Sequence, residues 1–350
     1  MGANRELQVD IISFAAASGH KSAAEALKHR LIECFPDSDV RVVDLEDILK
    51  SQTRLLGQIY KLGITYFNWC MRREQYFLFE MCTRASIVFA RLNTRWRPLR
   101  FLLRWTAGFW KDRTPDVIVS VTPMMHTIVY EAARLANPNV HCITIPVDYC
   151  EMVPGYWFQP KIDQEYLLGC ESLAKDAYEA GASLPNTHHM SGMVIDPRFY
   201  DPEPIDRTEF LNSLNLDPAL PTGVISFGGQ GTINVMRCTQ RIAEQGIAVN
   251  LICLCGRNEK LRADVQSLLT PYPVAALGFS PDPPVSVHRV ADFLIGKPGT
   301  MTLNESLITK TPFIFIKSIG LDIVQGANET WVQELSITHK LGHSNLRLGG

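Results

Sequence analysis

No two cysteines in the 350-residue chain stand at CxxC spacing, and no Cys/His set has the spacing of a zinc site. The nine cysteines are odd in number and scattered, which argues against a disulfide framework and for free thiols in a reducing compartment. No uncharged apolar run approaches the roughly 18–20 residues that cross a bilayer. The N-terminus, MGANRELQVD, has no apolar signal core. The expected location is therefore the cytoplasm, in peripheral contact with a membrane at most. No G-x-G-x-x-G follows the first strand candidate, and no acidic residue is suitably placed after one, which disfavours an NAD-dependent dehydrogenase. Internal repeats and low-complexity tracts are also missing.

What is present is the composition of a folded protein, 46% hydrophobic and 20% charged, with room for two domains. The net charge of −2 conceals a strong asymmetry. From Lys50 to Arg113 there are 13 Lys/Arg against 3 Asp/Glu, so one cationic segment sits on an otherwise acidic chain.

Strand and helix patterns alternate, which predicts an α/β fold of parallel sheets wrapped by helices. Strands are expected at 8–14, 39–44, 116–122, 140–146 and 163–168, then at 222–227, 249–254, 273–278, 291–295 and 311–316. Helices are expected at 20–35, 124–136 and 171–181, then near 231–245, 257–268 and 300–309. Three prolines in residues 196–204 mark a linker. The division is a first domain over 1–195, carrying a helical insertion at 46–112, and a second over 196–350. Two doubly wound domains of this kind bind ligands at the carboxyl ends of their strands, facing a common cleft.

Two turns in the second half carry the chemistry. The strand ending at Phe227 runs into Gly228, Gly229, Gln230, Gly231 and Thr232 before a helix. Glycines there let the backbone approach an anion, and the helix N-terminus offers unpaired N–H groups; steric need in a tight turn is the alternative. A second strand runs into "GKPGTMT", where Pro298 and Gly299 end it and Thr300 or Thr302 is expected to cap the next helix. Glu305, one turn in, can accept both hydroxyls of a ribose, or it is a solvated first-turn carboxylate favoured by the helix dipole.

Five segments, taken together, identify a resemblance. "LICLCGRNEKL" (251–261), "ADFLIGKPGTMTLNESL" (291–307), "FIKSIGLDIVQGANETW" (315–331), "IPVDYCEMVPGYWFQPKIDQEYL" (145–167) and "MSGMVIDPRF" (190–199) resemble the monogalactosyldiacylglycerol synthase family. That family includes processive diacylglycerol glucosyltransferases and is related to the peptidoglycan N-acetylglucosaminyltransferase. "SFAAASGHKSAAEAL" (13–27) looks like its glycine-rich "GGGH" loop and following helix. The resemblance implies the GT-B architecture, with two Rossmann-like domains, the nucleotide sugar in the second and the acceptor in the first. It implies that the Gly228–Thr232 and Gly299–Thr302 turns hold the donor diphosphate, and that Glu305 holds the ribose. Gln325 and Asn328 would lie near the sugar hydroxyls, and the Phe279 backbone near the uracil. The expected reaction moves galactose or glucose from a UDP-sugar to diacylglycerol with inversion. Another UDP-sugar and lipid acceptor, or a lapsed enzyme that only binds lipid or nucleotide, are the alternatives.

Inverting transfer needs a base for the acceptor hydroxyl. The resemblance gives that role to His20, whose pKa a helix N-terminus should lower so that the imidazole stays neutral; a capping histidine bonded to the adjacent loop is the alternative. Asp148 would orient His20 or contact the acceptor. No cofactor is expected, and no metal, because Asp37 and Asp39 fall at the amino end of a strand and read as a turn. The basic, aromatic segment 50–113 is expected to face an anionic membrane surface rather than to be a solvated face, or to bind nucleic acid, which is not expected as a partner. Two departures stand out. Ala15, Ala16 and Ala17 replace glycines before His20, and the chain ends at Gly350 where family members usually continue, which reads as a shortened second domain.

Overall fold

The computed structural model describes residues 6–14, 18–52, 54–73, 75, 77–78, 81–82, 103–104, 106–151, 154–159, 161–200, 203–316, 328 and 339–341. The chain divides into two compact units, Met1–Phe67 with Phe79–Asp196, and Asn68–Leu78 with Pro197–Gly350.

The first unit holds a six-stranded sheet of β1 (Gln8–Ser13), β2 (Asp39–Asp44), β3 (Val117–Ser120), β4 (His141–Thr144), β5 (Glu165–Leu168) and β6 (Thr187–His189). All pairs are parallel and the spatial order is β2-β1-β3-β4-β5-β6. Its helices are α1 (Ser18–Cys34), α2 (Leu45–Gln52), α4 (His126–Ala136) and α5 (Glu171–Glu179), with α3 (Arg54–Arg72) as far as Phe67. Parallel strands covered on both faces read as unbroken apolar runs, and Ile11 and Ile12 in β1 are both fully buried. Ile12 joins a core with Leu45 and Ile48 of α2, Val129 and Tyr130 of α4, and Trp110. Because alternate side chains point to opposite faces, Ile11 faces the other layer.

The second unit repeats the plan with β7 (Thr222–Ser226), β8 (Asn250–Leu254), β9 (Val274–Leu277), β10 (Phe293–Gly296), β11 (Phe313–Ile316) and β12 (His339–Leu341). The order β12-β11-β10-β7-β8-β9 is again wholly parallel. It is the order of the dinucleotide-binding fold, in which chain direction across the sheet reverses between the first and fourth strands. The helices are α6 (Arg207–Ser213), α7 (Asn234–Glu244), α8 (Glu259–Gln266), α9 (Val285–Val290) and α10 (Thr300–Thr309). One face is sealed by Val235 and Cys238 of α7 and Leu261 and Val265 of α8. Right-handed crossovers put α10, which connects strands running outward the other way, on the opposite face.

The expected alternation is thus present, with β6, β12, α6 and α9 in addition. Helix α7 starts at Asn234, three residues later than expected, because Gly231 takes a φ of +69° that a helix does not accommodate.

The insertion returns to the sheet through a buried carboxylate. Asp10 of β1 is fully buried and accepts two bonds from Arg41 of β2 (2.7 and 2.8 Å), one from Trp110 Nε1 (2.8 Å) and one from Arg113 Nε (3.0 Å). Arg113 also bonds the Asp39 carboxylate and carbonyl at the start of β2. Asp39 is therefore part of a structural ion network.

Removing the carboxylate while leaving its two guanidinium partners strands buried charge. Asp10→Ala is expected to cost about 3–5 kcal/mol, seen in urea denaturation as a lower midpoint at unchanged slope.

Candidate functional site

In the first unit the strand order reverses between β1 and β3, which is where a doubly wound sheet opens its crevice. His20 stands there, in the first turn of α1. Where β3 ends, the Val121 amide still pairs with Ile12, while the Val121 carbonyl, past the ladder, accepts His20 Nδ1–H at 2.7 Å. That bond assigns the ring proton to Nδ1 and leaves the Nε2 lone pair open. Burial pulls the imidazole down to about 4, and the Val121 bond only partly opposes it. The direction of the shift agrees with the expectation, and its largest cause is desolvation by burial. The orienting group is the Val121 carbonyl, not Asp148.

Asp148 lies beyond β4 and accepts Trp157 Nε1–H at 3.2 Å. The Trp157 ring is 6.0 Å from His20 and stacks at 6.3 Å on His126, which stacks in turn on Tyr130. Asp148 is thus connected to the histidine through an indole. Burial raises its carboxyl to about 7. Glu151, also raised to about 7 by burial, accepts the amides of Tyr156 and Trp157 and so fixes the loop that carries the indole. Trp157 and Glu151 lie inside the segment whose resemblance was noted, yet nothing in their spacing singled them out.

In the second unit the reversal falls between β10 and β7, so the two glycine turns adjoin. Gly228 (φ +91°) and Gly231 (φ +69°) both need left-handed backbone. A Cβ on Gly231 would collide with the Cys255 carbonyl, so this turn interlocks with the one after β8, where the Arg257 amide donates to the Gly229 carbonyl at 2.9 Å. Gln230 completes the turn, and Thr232, at the approach to α7, is buried with its hydroxyl unpartnered among the described residues. The second turn differs from expectation: Gly299, not Thr300 or Thr302, is the N-cap of α10, and no side chain caps it. Its first-turn amides are therefore not spent on a cap. Extended backbone at Gly299 (φ −75°, ψ 139°) lets the helix begin at Thr300. Lys297 is the residue that sequence reasoning passed over. Its ammonium has no hydrogen bond or ion pair among the described residues and lies against Gly228; burial lowers its pKa. An unpaired cation, an orphan hydroxyl and two uncapped helix starts at one strand-order reversal suit a multiply charged anion.

The remaining expected residues are accounted for as follows. Asn328 is buried and donates to the Pro298 carbonyl (2.9 Å) and Thr300 Oγ1 (3.3 Å), holding the turn from behind. Phe279 follows β9, with the Arg257 guanidinium 3.6 Å above its ring. Glu305 is the sixth residue of α10, in its second turn rather than its first, with a side chain 13% exposed. Its Oε2 lies 3.7 Å from Nε2 of buried His288. Gln325 lies outside the described residues.

Two parallel sheets, each with one reversal of strand order, define an α/β fold of the GT-B type. The calicheamicin glycosyltransferase CalG4 matches with a TM-score of 0.56 at 13% identity, over 98% of this chain and 86% of that one. In sequence the chain is similar to a probable monogalactosyldiacylglycerol synthase 3, chloroplastic, of Oryza sativa subsp. japonica, at 27% identity over 332 residues, covering 90% of this chain and 61% of the relative. It is similar also to the processive diacylglycerol beta-glucosyltransferase of Staphylococcus saprophyticus, at 23% over 310 residues, 87% of this chain and 74% of that one. The chain spans about three fifths of the length of the plant relatives it matches. No protein-family model matches it.

The raised Asp148 pKa has a stability consequence. Its folded value of about 7 exceeds the ordinary 3.8, so unfolding releases a proton between these values, and the stabilisation present below pH 4 is lost as pH rises through 7. His20 and His126, lowered to about 4, act in the opposite sense, stabilising above the ordinary histidine pKa and losing that contribution as pH falls through 4. Asp148→Asn should therefore gain stability relative to wild type between pH 5 and pH 8, measured by chemical denaturation at each pH.

Proposed function

We propose that the protein is an inverting glycosyltransferase that moves galactose or glucose from a UDP-sugar to diacylglycerol. The observation that carries the reading is His20: a neutral imidazole with its proton fixed on Nδ1 and its Nε2 open, at the reversal of the first sheet. The names of the relatives, synthases and glucosyltransferases of diacylglycerol, supply the acceptor and the sugar class.

The reaction divides between the units. In the first, Nε2 of His20 takes the proton of the acceptor hydroxyl as its oxygen forms a bond to the anomeric carbon. The bond from that carbon to the diphosphate oxygen breaks, and UDP leaves with the electron pair. In the second unit, the Gly228–Thr232 turn, the α10 N-terminus and Lys297 meet the charge that develops on the diphosphate, so the reading assigns that task to protein groups and needs no metal. Glu305 accepts from the ribose hydroxyls, with the Phe279 backbone beside the uracil.

A membrane surface is the third element of the proposal. On α3, Leu55, Ile59, Leu62, Tyr66 and Trp69 recur at three- and four-residue spacing, one face of a helix. Leu55, Ile59 and Leu62 are 63%, 55% and 69% exposed. Arg54, Lys61 and Arg72 lie on the same helix, within the segment of strong positive excess. Among the described residues no helix is long and apolar enough to cross a membrane. An apolar stripe with basic neighbours instead suits a helix lying at the headgroup level of anionic lipid, each Lys or Arg adding about 1 kcal/mol.

With radiolabelled UDP-galactose and UDP-glucose and vesicles containing diacylglycerol, chromatography should show a glycosylated lipid. His20→Ala should cut its formation about 100-fold or more while UDP binding persists. No product from either donor, or full turnover in the variant, contradicts the reading. In vesicle sedimentation, binding should require anionic lipid, fade with salt and weaken on combined Leu55→Ser, Ile59→Ser and Leu62→Ser substitution. Equal binding to neutral vesicles contradicts the docking face.

A further inference from the structure

His288 has no task in the reaction as described, yet it is 1% exposed and its buried Nδ1 has no hydrogen-bond partner among the described residues. An apolar side chain of the same shape would leave no acceptor unpaired, so the imidazole costs stability unless its other nitrogen repays it. That nitrogen, Nε2, faces Glu305 Oε2 at 3.7 Å, too long for a hydrogen bond but close enough for a directed dipole to act in a buried setting. The ring is neutral, because burial pulls it down to about 4. A proton on Nε2 is the tautomer that avoids setting a lone pair against the carboxylate. Its place is fixed from two sides: Phe199, within the linker, packs edge-on at 5.7 Å, and the Thr311 hydroxyl, just past α10, donates to the His288 carbonyl at 3.2 Å. Helices α9 and α10 are thereby pinned together with the imidazole N–H and the carboxylate facing each other.

We infer that His288 is a positioning residue for Glu305, holding by its Nε2–H the carboxylate that the proposed function gives to the donor ribose. The inference rests on that reading of Glu305, and the test separates the two. UDP binding is measured by calorimetry, and thermal stability in parallel, for wild type, His288→Leu, His288→Gln, Glu305→Ala and the Leu/Ala double variant. Glu305→Ala should weaken UDP about 10- to 100-fold. His288→Leu should weaken it about 3- to 10-fold without lowering Tm, and should add nothing in the double variant, since the histidine acts only through the carboxylate. His288→Gln, which keeps an N–H donor, should bind UDP within about twofold of wild type and covers the case in which the leucine variant fails to fold. Wild-type UDP affinity in His288→Leu beside a weakened Glu305→Ala, or losses that multiply in the double variant, overturns the inference alone. Unchanged UDP affinity in Glu305→Ala overturns the ribose reading and the inference with it.

Discussion

In a parallel sheet joined by right-handed crossovers, the loops on either side of a reversal in strand order run to opposite faces, and the strand ends between them stay uncovered. Each unit has one such reversal, at β1/β3 and at β10/β7, and most of the chemistry described above follows from it. The Val121 carbonyl can accept from His20 because β3 has finished pairing there. The Gly228–Thr232 turn and the start of α10 come together because their strands are the two neighbours at the reversal. The fold thus places groups before any side-chain identity is chosen.

Side-chain identity then sets the charge at each place. In the first unit, burial keeps the imidazole of His20 neutral and holds two carboxyls, Asp148 and Glu151, near 7. In the second, among the described residues, the ammonium of Lys297 lies against Gly228 without a counter-charge and the Thr232 hydroxyl has no hydrogen-bond partner. Unsatisfied groups of this kind are costly and make sense where a ligand completes them. By contrast Asp10, fully buried, accepts four hydrogen bonds and closes the insertion on the sheet.

Much of this was legible in the sequence, for physical reasons. Strands buried on both faces announce themselves as apolar runs, and the turn at Gly228 carries glycine because its φ of +91° lies outside helix and strand. The short strands β6 and β12 and the short helices α6 and α9 left too few residues for a period to register. Periodicity also could not say which oxygen orients His20. Asp148 was a reasonable candidate by type, but a backbone carbonyl has no sequence signature. Threonines after Pro298 suggested a side-chain cap, while the chain uses extended backbone at Gly299. Lys297 was visible and passed over, since its importance lies in having no partner, which only three dimensions reveal.

The central claim is that His20 is poised as a base, and its protonation can be read directly. Nitrogen-15 NMR of the histidine ring, followed from pH 3.5 to 8, should show a neutral tautomer protonated on Nδ1 throughout the neutral range, titrating only near pH 4. A resonance titrating near the ordinary 6.5, or a proton residing on Nε2 at pH 7, would contradict the account, because the nitrogen assigned to receive the acceptor proton would then already carry one.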